Sequence, residues 1–141
     1  MTSAQIALVR SSYRQVAPLS EHVVALFYAR LFELEPSLRR LCSGGMEAQG
    51  RQLARLVGAL IGWAETLEAM RPALARFGAR QARRGVRDEH YPVIGAALLW
   101  ALERGLGPEF TVPLRSAWNR FYIELADAML AGAPAAGVAA A

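Results

Sequence analysis

Lysine is absent from this chain, so arginine alone supplies its 16 positive side chains. Against 12 acidic residues the formal charge is +4, small enough that ordinary solubility accounts for it as well as an acidic partner would. Cysteine occurs once, at Cys42, which excludes a disulfide within the chain and suits a reducing compartment or a free thiol rather than a stapled secreted scaffold. Long apolar runs are missing too. The longest, Leu56 to Ala64 and Tyr91 to Leu102, fall short of the roughly 18 residues that span a bilayer. Met1-Thr-Ser-Ala-Gln has no basic stretch leading into an apolar one, so it does not read as a secretory signal. The expectation is a cytoplasmic protein with no membrane partner.

No sustained two-residue alternation argues for strands, whereas apolar residues recur every three or four positions throughout. The fold class expected is all-α, with about six main helices and a short one. A first helix runs from about Ser3 to Val16 and stops before Pro18. The second, with Ser20 as its candidate cap, turns Val23, Val24, Phe27, Leu31 and Phe32 inward and ends near Glu35-Pro36. A turn of helix around Ser37 to Cys42 follows, and Ser43-Gly44-Gly45 breaks the chain. One long helix is expected from about Glu47 to Leu67, and another from about Arg71 to Arg84, ended by Gly85. A helix from about Asp88, its candidate cap, to Leu106 precedes the last one, which starts at Thr111 and carries Trp118, Phe121, Tyr122, Leu125 and Met129. The chain of 141 residues fits one domain, residues 1–131, and the low-complexity stretch 132–141 is expected to be a disordered tail.

The stretch Pro72-Ala-Leu-Ala-Arg-Phe-Gly-Ala-Arg-Gln81-Ala-Arg-Arg-Gly85-Val86-Arg-Asp-Glu-His90-Tyr91-Pro92-Val-Ile-Gly95 resembles the proximal segment of bacterial single-domain globins and flavohemoglobin haem domains. Leu26-Phe27-Tyr28, Gln49 to Leu53, Leu98-Leu99, Leu106-Gly107, Thr111 and Ala117-Trp118 follow the same pattern in order, so the resemblance covers about Ile6 to Met129. It implies a globin fold of helices around a cofactor-sized pocket, haem b as the cofactor, and a diatomic gas as the ligand. It places Tyr28, Gln49 and Leu53 on the side of the pocket that meets the gas. Gln49 and Leu53, at i and i+4, share one helix face.

On the other side the sequence departs from the family. Gln81 stands where a histidine holds the iron, and an amide is a much weaker ligand than imidazole. Cys42 stands where a phenylalanine stacks on the porphyrin, a loss of about 1.5–3 kcal/mol of apolar contact. Tyr91 matches a tyrosine that bonds the proximal histidine, but the glutamate that completes that triad falls near Ala133. His90 reads as an exposed or helix-start residue, and His22 as solvent-facing. Cys42 is either a substitute thiolate ligand or, preferably, a small buried hydrophobe. The run Arg76, Arg80, Arg83, Arg84 and Arg87 reads first as a solvated helix end and second as a contact for haem propionates or a protein partner, with no nucleic-acid motif beside it. Three functions remain open. One is a haem globin with atypical ligation acting on oxygen or nitric oxide. Another is a haem-free globin serving as an interaction module or binding a small apolar ligand, and the third is an enzyme with cysteine or tyrosine ligation.

Overall fold

The computed structural model describes residues 1–42, 46–62 and 67–133. Its main elements are α1 (Ser3–Val16), α2 (Ser20–Leu34), a short 3-10 segment (Pro36–Cys42), α3 (Met46–Gly62), α4 (Leu67–Arg83), α5 (His90–Leu106) and α6 (Val112–Leu130). The all-α expectation holds, with no strand among the described residues and six α-helices plus the short segment. None of these helices is long and apolar enough to cross a membrane.

The first helix has the bounds its sequence predicts because both ends are encoded locally. The Thr2 hydroxyl accepts from the Gln5 N–H at 3.1 Å while the Gln5 side chain accepts from the Thr2 N–H at 2.9 Å, a reciprocal cap of two otherwise orphaned donors. Three other expected boundaries move. Ser20 does not cap α2 but is its first residue, because a 3-10 turn over Ala17–Leu19 presents the Ala17 carbonyl to the Ser20 N–H and no side chain is needed. Asp88 does not cap α5, which starts at His90 after a turn in which the Asp88 backbone carbonyl accepts from the Tyr91 N–H at 3.2 Å. The helix expected from Arg71 begins at Leu67 instead: Leu67 is buried, and Glu68 and Arg71 pair at 3.0 Å across the first turn. Residues 63–66, assigned to the preceding helix by periodicity, and 134–141, most of the expected tail, lie outside the described residues.

Helix α2 lies along α5, α3 packs on α2, and α1 and α4 both pack on α6. Trp118 of α6, 1% exposed, fills the centre and donates from its indole to the Ser12 hydroxyl at 2.9 Å. Ser12 in turn donates to the Leu8 carbonyl at 2.8 Å, so the buried polar atoms of this contact are all partnered. Helices α4 and α6 approach backbone to backbone. A Cβ at Gly78 would collide with the Met129 carbonyl, and one at Gly132 with the Ala75 carbonyl. That contact fixes how α4 sits, and α4 carries Gln81.

Candidate functional site

Tyr28 is 6% exposed on α2, with its ring edge-on to Phe27 and stacked on Phe32 at 5.8 Å between centroids. Arg39, from the 3-10 segment, covers Phe32 at 5.3 Å. Helix α3 approaches closely at Gly50, where a Cβ would lie 2.8 Å from Val24 and 4.0 Å from Tyr28. Gln49 and Leu53, one residue before and three after that approach, are both half-buried, and Leu53 packs on the core. The three residues expected to meet a gas ligand thus belong to one pair of packed helices. A groove of about 550 Å³ runs between the same two helices, with Val24, Ala25, Tyr28, Gly50 and Ala54 as its apolar and aromatic lining and Ser20, Glu21, Arg51 and Arg55 as its polar lining. Sequence reading did not find this groove, although Arg51 and Arg55 repeat at i and i+4.

Gln81 is half-buried in the last turn of α4, and the local backbone explains its position. The Val86 N–H donates to the Gln81 carbonyl and the Gly85 N–H to the Ala82 carbonyl, both at 3.0 Å, with Gly85 at φ +109°. This is a Schellman cap, and it requires a residue that tolerates positive φ four positions after Gln81. The spacing from Gln81 to Gly85-Val86 is therefore the signature of a helix end, with the Gln81 side chain one turn before it. That side chain is not idle: Arg84 donates from Nη1 to its Oε1 at a long 3.4 Å, and from Nη2 to the Leu41 carbonyl at 2.8 Å. Leu41 precedes Cys42, which ends the 3-10 segment; the Cys42 side chain lies outside the described residues.

Tyr91 is buried at the start of α5, and burial, followed by the nearby Asp88 carboxylate, holds its phenol above the usual range. Its hydroxyl makes no hydrogen bond with Gln81 among the described residues, while its backbone carbonyl accepts from the Tyr122 hydroxyl at 2.6 Å. Tyr122 is likewise pushed well above the usual range by burial and then by Tyr91, so both phenols stay protonated at neutral pH. His90 stands at a helix start, one of the two placements expected of it, and is buried rather than exposed. It is 5% exposed, and its Nδ1 accepts from the Arg87 N–H at 2.9 Å, closing the turn that leads into α5. His22 is exposed.

Arg76, Arg80, Arg83, Arg84 and Arg87 are all exposed, as are Arg39 and Arg40 of the 3-10 segment, of which Arg40 lies beside Gly85. The Arg40 guanidinium sits 3.2 Å from the point where a Cβ on Gly85 would be. Of these seven only Arg87 meets a carboxylate among the described residues, Glu89 at 3.7 Å. Elsewhere arginines are matched: Arg30 with Glu33, Arg71 with Glu68, Arg115 with Glu103, and Arg120 with Glu124.

This helix order and the placement of these residues can be set beside known proteins. The Globin family profile matches residues 25–129. The chain belongs to the globin family. It is 34% identical over 129 residues to flavohemoproteins of Bordetella parapertussis and Bordetella bronchiseptica, covering 86% of this chain and 32% of theirs. To the flavohemoprotein of Chromobacterium violaceum it is 33% identical over 128 residues. The globin therefore spans about a third of the length of these curated relatives. A solved structure of an engineered carbene transferase, described as a putative nitric oxide dioxygenase from Rhodothermus marinus, superimposes with a TM-score of 0.86 at 30% identity, covering 100% of this chain and 99% of that one.

The donor chemistry fits a haem on one side only. Tyr28, buried among aromatic rings, carries a hydroxyl suited to donate to a bound gas, and Leu53 is a suitable apolar wall. At the end of α4 there is an amide with its oxygen turned to Arg84, and the one buried histidine has a ring nitrogen engaged by backbone.

Proposed function

We propose that this globin binds haem b with atypical iron ligation and acts in the binding, sensing or redox chemistry of oxygen or nitric oxide in the cytoplasm. The observation that carries this reading is the burial of Tyr28 beside the close approach of α3 to α2 at Gly50, with Gln49 and Leu53 on either side of that glycine. The fold brings a buried phenol, a half-buried amide and the apolar Leu53 onto one pair of packed helices, the set of side chains that the haem-globin reading needs on the gas side. A bound haem supplies an iron that takes a diatomic ligand. The chain's part is to present the Tyr28 hydroxyl as a donor to that ligand, to add Gln49 as a second polar group, and to keep water away with Leu53. Gln81 leaves the opposite side without an imidazole, so ligation there is weak or comes from another group, with Cys42 as the candidate.

Hemin titration of the purified protein tests the reading. A sharp Soret band that saturates at one equivalent is expected; broad absorption that never saturates would overturn it. A second reading, a haem-free globin that works by contact with another protein, has its own observation in the exposed arginines around Gly85, of which only Arg87 meets a carboxylate among the described residues.

A further inference from the structure

Arg84 is the capping residue of α4, just outside the last helical turn, and its side chain swings back along two lines. One guanidinium nitrogen reaches the Leu41 carbonyl, 43 residues away in sequence, at 2.8 Å. The other faces the Gln81 carboxamide at 3.4 Å. The first is the one hydrogen bond between α4 with its cap and the Pro36–Cys42 segment among the described residues. The Arg40 guanidinium of that segment lies beside Gly85, 3.2 Å from the point where a Cβ on it would be. Arg84 is thus the side chain that joins Gln81 to the residue preceding Cys42.

We propose that Arg84 is a positioning residue that clamps the Pro36–Cys42 segment to the end of α4 and holds the Gln81 carboxamide by its oxygen, so that this side of the site is fixed by the protein itself. A guanidinium suits the task because it stays charged and its fork offers separate nitrogens to two acceptors. With Oε1 turned to Arg84, Gln81 has its NH2 group left to point elsewhere, which makes it a hydrogen-bond donor toward the site rather than an oxygen ligand. The clamp stands on geometry alone, whereas the consequence for Gln81 rests on the haem reading above.

Hydrogen exchange on the full apo chain tests the clamp by comparing the parent with Arg84→Ala and with Arg83→Ala, which removes the same charge one residue earlier. Losing a charge-assisted bond at 2.8 Å should speed local opening at residues 38–42 and 82–86 about tenfold in Arg84→Ala and leave Arg83→Ala at the parental rate. Equal rates in Arg84→Ala and the parent, or an equal rise in both variants, would overturn it. Hemin spectra of the same proteins test the second half: Arg84→Ala should shift the Soret maximum and Arg83→Ala should not. An unshifted maximum in a variant that still takes up hemin overturns the hold on Gln81. If the parent takes up no hemin, the haem reading fails and the exchange rates still decide the clamp.

Discussion

Gln81 is the residue at which the family resemblance leads one to expect a histidine. The stretch from Pro72 to Gly95 made that position legible, because a Schellman cap ties residue 81 to Gly85 and Val86 by backbone spacing that survives the side-chain change. What the sequence could not show is where the carboxamide turns, since its partners come from Arg84 and, through it, from Leu41 in a distant segment. The burial of His90 was missed for a similar reason: a polar residue at a helix start reads as exposed, yet here its ring closes the Arg87 turn and is buried by it. If residue 81 is the proximal position, Gln81→His should raise hemin affinity by about tenfold or more and give the spectrum of an imidazole-ligated haem. Hemin titration followed at the Soret band checks this. Unchanged affinity and spectrum would mean that residue 81 does not face the iron.

Helix identities were legible from period and punctuation, and the boundaries failed where one helix ran into the next. Between α1 and α2 a 3-10 turn supplies the carbonyl that Ser20 was expected to replace, and at α4 the buried Leu67 draws the helix start four residues ahead of Arg71. Contacts between helices were harder to read, since Gly78 inside a helical pattern signals only an unexplained cost relative to alanine. The explanation is its seat against the Met129 carbonyl. Gly78→Ala should gain up to about 1 kcal/mol of helix propensity. It also drives a Cβ into a backbone that cannot step aside, and overpacking of this kind costs about 1–3 kcal/mol. The collision is with main chain rather than with a flexible tip, so the larger penalty should win and the net change should be a loss of about 1–2 kcal/mol. Urea unfolding measures it, and a variant as stable as the parent would show that α4 and α6 do not approach so closely.

For the molecule as a whole, the sequence showed an excess of arginine but not its distribution. Pairing consumes Arg30, Arg71, Arg115 and Arg120, while Arg40 comes beside the exposed arginines at the end of α4 through the fold, and Arg39 stands next to it in sequence. The formal charge of +4 is thus a poor guide to the local field, in which seven guanidinium groups meet one carboxylate at 3.7 Å. Two of them are held over aromatic rings, Arg39 over Phe32 and Arg80 over Phe77, so less side-chain entropy is lost when an anionic partner docks. If the haem-free interaction reading is right, that partner is an acidic protein surface, and a fluorescent poly-L-glutamate chain serves as the probe in low salt. Reversing Arg39, Arg40 and Arg83 to glutamate should weaken its binding by about tenfold or more, because close like charges then replace attraction. Reversing Arg30, Arg115 and Arg120, an identical change in net charge, should weaken it far less, since those side chains already face carboxylates. Equal losses in the two triple variants would show that net charge alone governs binding and that the arginines near Gly85 form no docking face.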